Sequence, residues 1–186
     1  ECRLVPQAPA DADGLLERGR GGSELACVAI KRGELRTVAG NELAQLFPKD
    51  ARAQRVRAQV RTLAEFFHNN HFSFSFSISK KVLLHGHCHQ KALWGMGADI
   101  DVLRKAGCEV SSPDTGCCGM SGSFGYRPAF YETSKRIAEV ALLPALAAEP
   151  QAAVVASGFS CREQIEDLGG RPTLHLAELL AEGLDQ

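Results

Sequence analysis

The stretch KVLLHGHCHQ, residues 81–90, joins a short apolar run to a cysteine with histidines on both sides. Residues 81–86 have the continuous apolar pattern of a strand buried on both faces, as in a parallel sheet. Further strands are predicted at 108–113, 152–157 and 172–176, and helices at 90–106, 128–148, 161–168 and 177–183. Strands that alternate with helices predict an α/β fold, in which a parallel sheet has flanking helices.

The residues before this stretch have a weaker pattern. A loop is predicted at 1–25, a strand at 26–30, and helices at 41–47 and 50–68. Within 69–81, phenylalanines alternate with serines, which fits a strand with one buried face and a low-complexity connector equally well. We therefore expect a partial, helical N-terminal region at 1–79 and a C-terminal domain at 80–186.

Composition limits the classes of function. The chain has 186 residues, 45% hydrophobic and 23% charged, and a formal net charge of −1. This near-neutral balance gives no global electrostatic case for binding nucleic acid or an anionic membrane. No apolar run has the length of a membrane span, and the start shows neither a signal-peptide pattern nor an initiator Met. We therefore expect a processed, truncated or excised piece, with no transmembrane segment within these 186 residues.

The cysteines carry the clearest chemical signal. There are seven, an odd number, at positions 2, 27, 88, 108, 117, 118 and 161. Cys88, Cys117, Cys118 and Cys161 each follow a predicted strand, and the carboxyl ends of parallel strands share the edge where ligands bind. Four converging thiolates suit an iron–sulfur cluster or an all-cysteine zinc site. Cys108 opens a strand and is interpreted as a small buried hydrophobic residue.

Glycines and histidines surround these cysteines. In the loop DTGCCGMSGSFG, Gly116, Gly119 and Gly122 allow the backbone to approach a cluster closely and point its amides at sulfur. His85, His87 and His89 alternate around Cys88 and, if extended, share one face opposite the thiol. They are candidates to bind a metal, move protons or donate hydrogen bonds to a cluster. His175, at the end of the last strand, is a further candidate for this edge.

Other chemistries have less support. The chain has no phosphate-binding GxxxxGK[ST] loop, no dinucleotide fingerprint after a strand, and neither the CxxC pair of a zinc ribbon nor a ferredoxin run. Two alternatives remain beside an iron–sulfur module. One is a Cys/His zinc-binding structural or docking module that uses the same thiols with His85 or His87. The other is a thiol–disulfide oxidoreductase that uses Cys117, Cys118 or Cys161.

Several motifs together resemble a known family. They are HGHCHQKA (85–92), GCCGMSGSFGY (116–126), LLPAL (142–146), ASGFSCREQI (156–165) and LHLAELLA (174–181). Their order is similar to that of the cysteine-rich CCG domain found in heterodisulfide reductase and in the iron–sulfur component of glycolate oxidase. The similarity is greatest to the C-terminal iron–sulfur region of FAD-linked oxidases of the D-lactate and D-2-hydroxyglutarate dehydrogenase type. On this resemblance, residues 1–79 are the remnant of a preceding CCG repeat.

The resemblance implies an iron–sulfur module that relays electrons to an acceptor from a flavin that a 2-hydroxy acid has reduced. It implies a [4Fe–4S]-type centre held by Cys88, Cys117, Cys118 and Cys161, with Cys27 aligned to a further family cysteine. It implies FAD on a separate domain or subunit, a quinone, cytochrome or flavoprotein as electron acceptor, and a cytoplasmic location or one at the periphery of the inner membrane. Some relatives carry a CxxC where this chain has Gly158, which argues against a five-cysteine cluster. The chain by itself lacks the flavin domain that would oxidise a 2-hydroxy acid.

Overall fold

The computed structural model describes residues 43–69, 76–121 and 124–184. Their four strands are β1 (Lys81–His85), β2 (Glu109–Ser111), β3 (Ala153–Ala156) and β4 (Thr173–Leu174). All neighbouring pairs are parallel, in the order β2-β1-β3-β4. The predicted α/β fold with a parallel sheet is therefore confirmed. The strand predicted at 26–30, Cys27 and Gly122 lie outside the described residues.

The middle of strand β1 is apolar because it is covered on both faces. Val82, Leu83 and Leu84 are all fully buried. Val82 and Leu84 pack into one apolar cluster, and Leu83, whose side chain points the opposite way, packs into the other. Because both sides of the sheet are covered, β1 shows a continuous apolar run and not an alternating pattern.

Eight α-helices occur among the described residues. They are α1 (Leu43–Leu46), α2 (Ala51–Gln59), α3 (Leu63–Asn69), α4 (Cys88–Leu93), α5 (Gly97–Lys105), α6 (Tyr131–Ala148), α7 (Phe159–Gly169) and α8 (Leu176–Glu182). Residues of α3, α5 and α8 pack into the cluster on one side of the sheet. Residues of α6 and α7 pack into the cluster on the other side.

Two helices predicted as continuous are each divided. The helix predicted at 50–68 breaks because Thr62 and Glu65 form a reciprocal cap at the start of α3. The Thr62 hydroxyl accepts from the Glu65 amide at 3.1 Å, and the Glu65 carboxylate accepts from the Thr62 amide at 2.8 Å. The helix predicted at 90–106 breaks at Gly95, whose φ of +73° lies in the left-handed region.

Pro144 lies inside α6 and does not end the helix. Helix α6 continues to Ala148, and a short 3₁₀ turn, Pro128–Phe130, precedes it. Ala138, Leu142 and Leu146 are buried at helical spacing on both sides of the proline. Packing of this stripe on the sheet therefore holds the helix together where a backbone donor is missing.

The segment between the two predicted regions is described only at its end, over 76–80. Phe76 forms an isolated antiparallel bridge with Leu184, and residues 77–80 form no strand. Ile78 is buried, and its amide donates to the Ala106 carbonyl at 2.8 Å. This end of the segment is therefore a connector that is fixed to the C-terminal part by one apolar side chain and backbone hydrogen bonds.

Arg171 joins the end of α6 to the start of β3. Its Nη1 donates to the carbonyls of Leu146 at 2.9 Å and Glu149 at 3.0 Å, and its Nη2 donates to that of Ala152. We expect Arg171→Met to lower the free energy of unfolding by about 2 kcal/mol, because carbonyls that this guanidinium satisfies lose their donor. Urea denaturation measures the change.

Arg136→Met is the matched control, because Arg136 lies exposed on α6. We expect it to change the free energy of unfolding by less than about 0.5 kcal/mol. Equal effects of the two substitutions would show that Arg171 does not hold this connection.

Candidate metal centre and adjacent cavity

The thiols predicted to converge lie at the carboxyl edge of the sheet. Cys88 is the first residue of α4, just after β1, and Cys161 lies in the first turn of α7, just after β3. Cys117 and Cys118 lie in the loop after β2. Cys161 is close enough to the other three thiols for their charges to raise its pKa. The fold therefore brings four thiols from three strand ends into one electrostatic group, and all four are free thiols.

Cys118 and Cys161 form the buried pair of this group. Interaction with the Cys161 thiol is the main cause that lowers the pKa of Cys118 to about 4, and His85 and the Met120 amide also favour the thiolate. The same interaction, together with burial, raises the pKa of Cys161. The first proton therefore leaves this pair readily and the second is held tightly. A cation bound between the two sulfurs would release the second proton.

His85 points a ring nitrogen at this pair. Its Nδ1 lies 2.6 Å from the Thr115 hydroxyl, and both residues are buried. Its Nε2 is buried and has no hydrogen-bond partner among the described residues. One ring nitrogen of His85 and the sulfurs of Cys118 and Cys161 all lie within 4.8 Å of one another. A buried polar atom without a partner is costly, so this arrangement fits a site that holds a metal or a cluster.

The loop after β2 directs one of its own amides at a thiol. Gly119 has a φ of +96°, and its amide donates to the Cys117 sulfur at 3.3 Å. A Cβ on Gly119 would collide with the Ser134 carbonyl oxygen of α6. Gly116 has a φ of +59°. The glycines thus allow a left-handed backbone that packs tightly on α6 and directs an amide at sulfur.

Lys91 was not predicted to contribute to this loop. Its Nζ donates to the Gly116 carbonyl at 2.7 Å and lies 3.5 Å from the Asp114 carboxylate. A cation from α4 therefore fixes the loop that carries Cys117 and Cys118. The motif HGHCHQKA includes this lysine, but its spacing alone does not indicate a contact with a loop so distant in sequence.

His87 and His89 lie apart from His85. The three histidines were expected to share one face opposite Cys88 if the chain were extended, but β1 ends at His85 and α4 begins at Cys88. Helical backbone brings a ring nitrogen of His87, one of His89 and the Cys88 sulfur within 4.8 Å of one another, with ring centroids 5.3 Å apart. His87 and His89 therefore lie next to the Cys88 thiol, and His89 is exposed.

Cys108 packs as expected for a small hydrophobic residue. It is 6% exposed and belongs to the apolar cluster formed with α3, α5 and α8. Burial raises its pKa. It therefore lies in the protein core, apart from the thiols at the sheet edge.

A cavity of about 320 Å³ opens beside the thiols. Cys88 and Cys118 lie in its wall, together with His87, His89 and the start of α3. This volume is at the lower end of the range of small-molecule sites. The position, outside the carboxyl ends of parallel strands, is where α/β proteins bind ligands.

Asp99 is a buried acid in the cavity wall that the sequence did not single out. It is 2% exposed, and its carboxylate accepts from the Gln90 amide at 2.6 Å. Burial raises its pKa to about 6, and hydrogen bonds from Gln90 and Ser157 oppose the rise. Gln90 belongs to α4, which begins at Cys88, and Ser157 precedes α7, which carries Cys161. Asp99 therefore ties together two elements that carry candidate ligands.

His175 reaches the same edge, as predicted. It caps α8, since its Nδ1 accepts from the Ala177 amide at 3.1 Å while its own amide donates to Glu178. Burial, with a contribution from the cation of Arg162, lowers the pKa of His175 to about 4. The side chain is therefore neutral near pH 7, and it lines the cavity.

Comparisons with known proteins give a partial relationship. D-2-hydroxyglutarate dehydrogenase of Escherichia coli (strain K12) is 31% identical to the chain over 99 residues, which are 52% of this chain and 10% of that protein. The proteins of that name from Pantoea ananatis and Pseudomonas putida are 31% and 33% identical over 81 and 79 residues, in each case 8% of the relative. No protein-family model matches. The chain therefore spans about a tenth or less of the length of the relatives that it matches.

None of the described helices is long and apolar enough to span a bilayer.

Asp99 and His175 make opposite contributions to the pH dependence of stability. The raised pKa of Asp99 means that the folded state binds this proton more tightly, so stability falls as pH rises from about 4 to about 6. The lowered pKa of His175 makes stability rise with pH from about 4 to about 6.5. We therefore expect the two trends largely to cancel in the unsubstituted protein.

Single substitutions should separate the two trends. Relative to the unsubstituted protein, we expect the free energy of unfolding of Asp99→Asn to rise by up to about 3 kcal/mol between about pH 4 and pH 7. Asn is a side chain that can still cap α8. We expect the free energy of unfolding of His175→Asn, relative to that of the unsubstituted protein, to fall over the same pH interval. Urea denaturation at several pH values, at equal metal content, measures both. Parallel curves for all three proteins would contradict the assignment.

Proposed function

We propose that the chain is the iron–sulfur electron-transfer module of a flavin-dependent 2-hydroxy-acid dehydrogenase. The observation that carries the proposal is the convergence of Cys88, Cys117, Cys118 and Cys161 at one sheet edge, with a ring nitrogen of the buried His85 within 4.8 Å of the sulfurs of Cys118 and Cys161. The relatives named D-2-hydroxyglutarate dehydrogenase support the class of reaction. Oxidation of the hydroxy acid belongs to a flavin domain or subunit that works with this module.

The donor set fits an iron–sulfur centre. Four thiolates are the usual ligands of such a cluster, which when bound stores and passes on single electrons. In this chain the four cysteines would be the ligands. The Gly119 amide already donates to Cys117, and the pKa values of Cys118 and Cys161 mean that a cation is needed to ionise both members of the buried pair. Amide donors to sulfur raise the potential of such centres by stabilising the added negative charge.

The tautomer of His85 distinguishes the two main candidate functions. If the Thr115 hydroxyl donates to Nδ1, then Nε2 carries the proton and is a donor toward sulfur, as suits an iron–sulfur centre. If Nδ1 donates to Thr115, then Nε2 has a lone pair and is a metal ligand. Because His85, Cys118 and Cys161 are all buried and within 4.8 Å, a Cys/His zinc site that uses Nε2 is the second candidate.

Metal analysis of the anaerobically isolated protein tests the proposed function. We expect iron and acid-labile sulfide at about four each per chain, with visible absorbance, and an EPR signal after reduction. Cys118→Ser and Cys161→Ser should each remove most of the iron, because each deletes a buried ligand. Cys108→Ser is the matched control, since Cys108 lies in the core away from the thiols, and it should retain iron in the fraction that folds.

A folded protein without iron would contradict this function. Zinc at about one per chain, without visible absorbance, would favour the structural or docking module.

Substitution of His85 tests its role. Gln at this position keeps a terminal amide donor near the place of Nε2 but cannot replace an imidazole lone pair. For an iron–sulfur centre we expect His85→Gln to retain iron and shift the reduction potential, measured by EPR-monitored titration. His68→Gln is the control, because His68 is exposed on α3. Loss of all bound metal in His85→Gln, with retention in His68→Gln, would instead identify His85 as a ligand.

A further inference from the structure

Lys91 links two of the segments that carry candidate ligands. It lies on α4, the helix that begins at Cys88. Its Nζ donates at 2.7 Å to the carbonyl of Gly116, the residue before Cys117. No other lysine or arginine in the described part of the chain forms a hydrogen bond or an ion pair with the cysteine loop, residues 114–121. Lys91 is therefore the cation that joins the segment after β1 to the segment after β2.

The backbone after β1 leaves room for this side chain. Gly86 follows β1 directly, and a Cβ on Gly86 would lie 2.8 Å from the Cγ of Lys91 and 3.0 Å from its Cδ. The aliphatic part of Lys91 therefore packs over Gly86 on its way to the cysteine loop. The side chain of Lys91 is 26% exposed, so its charged end is held in place and not free in solvent.

The cysteine loop fixes the other end of the contact. The Asp114 carboxylate accepts from the Gly116 amide at 3.2 Å and lies 3.5 Å from the Nζ of Lys91. Both backbone polar groups of Gly116 therefore have a partner, in a residue whose φ of +59° is left-handed. Without Lys91, the peptide group before Cys117 would lose the contact that orients its carbonyl.

The charge of Lys91 acts on the same place. Four thiolates give the proposed centre a net negative charge, which reduction increases. A cation nearby stabilises the more negative state, so it raises the reduction potential. Because Lys91 is only partly exposed, water and salt screen its charge less than that of a fully exposed lysine. The Asp114 carboxylate opposes this effect, but it is 94% exposed and is screened more strongly.

From these contacts we propose that Lys91 is a positioning residue of the metal centre, which holds the cysteine loop against α4 and raises the reduction potential of the centre. The proposal rests on the function proposed above and goes beyond it, because it names a residue outside the ligand set that tunes the centre. Lys91 supplies no ligand atom and acts through the loop and through its charge. A higher potential favours transfer of an electron from the flavin of the proposed dehydrogenase to this module.

The reduction potential of the anaerobically isolated full chain tests the effect of the charge. Lys91→Met keeps the aliphatic part of the side chain and removes the charge and the donor. We expect the potential, measured by EPR-monitored titration, to become more negative. Lys91→Arg keeps a cation and a donor, so it should restore most of the shift.

Lys105→Met is the matched control for the loss of a charge. Lys105 lies exposed at the end of α5, which leads into the start of β2, at the edge of the sheet away from the thiols. The same change of residue there should leave the potential unchanged. If Lys91→Met retains too little iron for a titration, Lys91→Gln takes its place, because it keeps an amide donor and loses the charge.

Hydrogen exchange on the same samples tests the contact with the cysteine loop, whichever metal is bound. The amides of Gly116 and Gly119 donate hydrogen bonds within this loop. We expect the peptide that covers residues 114–120 to exchange about threefold faster or more in Lys91→Met, measured by mass spectrometry, because the loop loses a partly buried charged contact. Exchange in Lys105→Met should equal that of the unsubstituted protein.

Several results would overturn the assignment. They are a potential that Lys91→Met leaves unchanged, an equal shift in Lys105→Met, a shift that Lys91→Arg does not restore, or unchanged exchange in the cysteine loop. Iron content and visible absorbance are measured on every sample. A sample that contains zinc and no iron contradicts the proposed electron-transfer function, whereas iron-containing samples with equal potentials contradict only the role of Lys91.

Discussion

The site depends on the parallel pairing of β1 between β2 and β3. Because the three strands run in one direction, the loops that follow them leave the sheet at the same edge. The pairing is stable because β1 is buried on both sides, by α5 and α8 on one face and by α6 and α7 on the other. Two apolar clusters thus fix the three strands whose carboxyl ends the four thiols follow. An antiparallel arrangement would send alternate loops to opposite edges and separate these thiols.

Burial at this edge gives its polar groups their chemical character. Asp99 and His175 are almost completely buried, which opposes their charged forms. Asp99 retains its proton to a higher pH than usual, and His175 loses its proton at a lower pH than usual. The hydrogen bonds between Gln90 and Asp99 and between Thr115 and His85 offset part of the cost of burial. Such costly groups are retained where function requires them, which is consistent with a metal centre next to a ligand cavity.

The sequence predicted the parts of the structure that depend on local pattern. All four strands lie within predicted strand segments, of which β1 and β3 are short apolar runs, and the convergence of the thiols follows from strand direction. It did not predict the break before α3, although Thr62 and Glu65 have the spacing of a capping box. Nor could spacing indicate that Asp99 is buried, because its partner Gln90 lies on another helix and the contact depends on tertiary packing. The contact of Lys91 with the cysteine loop is of the same kind.

The absence of cations in the described lining of the cavity bears on how the proposed dehydrogenase divides its chemistry. A hydroxy acid and its oxidised product carry carboxylates, which need cationic partners when they are removed from water. The described cavity wall provides none, while it provides apolar surface and hydroxyl groups beside two thiols. On the proposed function, the anionic substrate is therefore oxidised at the flavin domain, and only electrons reach this module. Separating the two sites keeps the charged acid away from a buried centre whose thiolates would repel it.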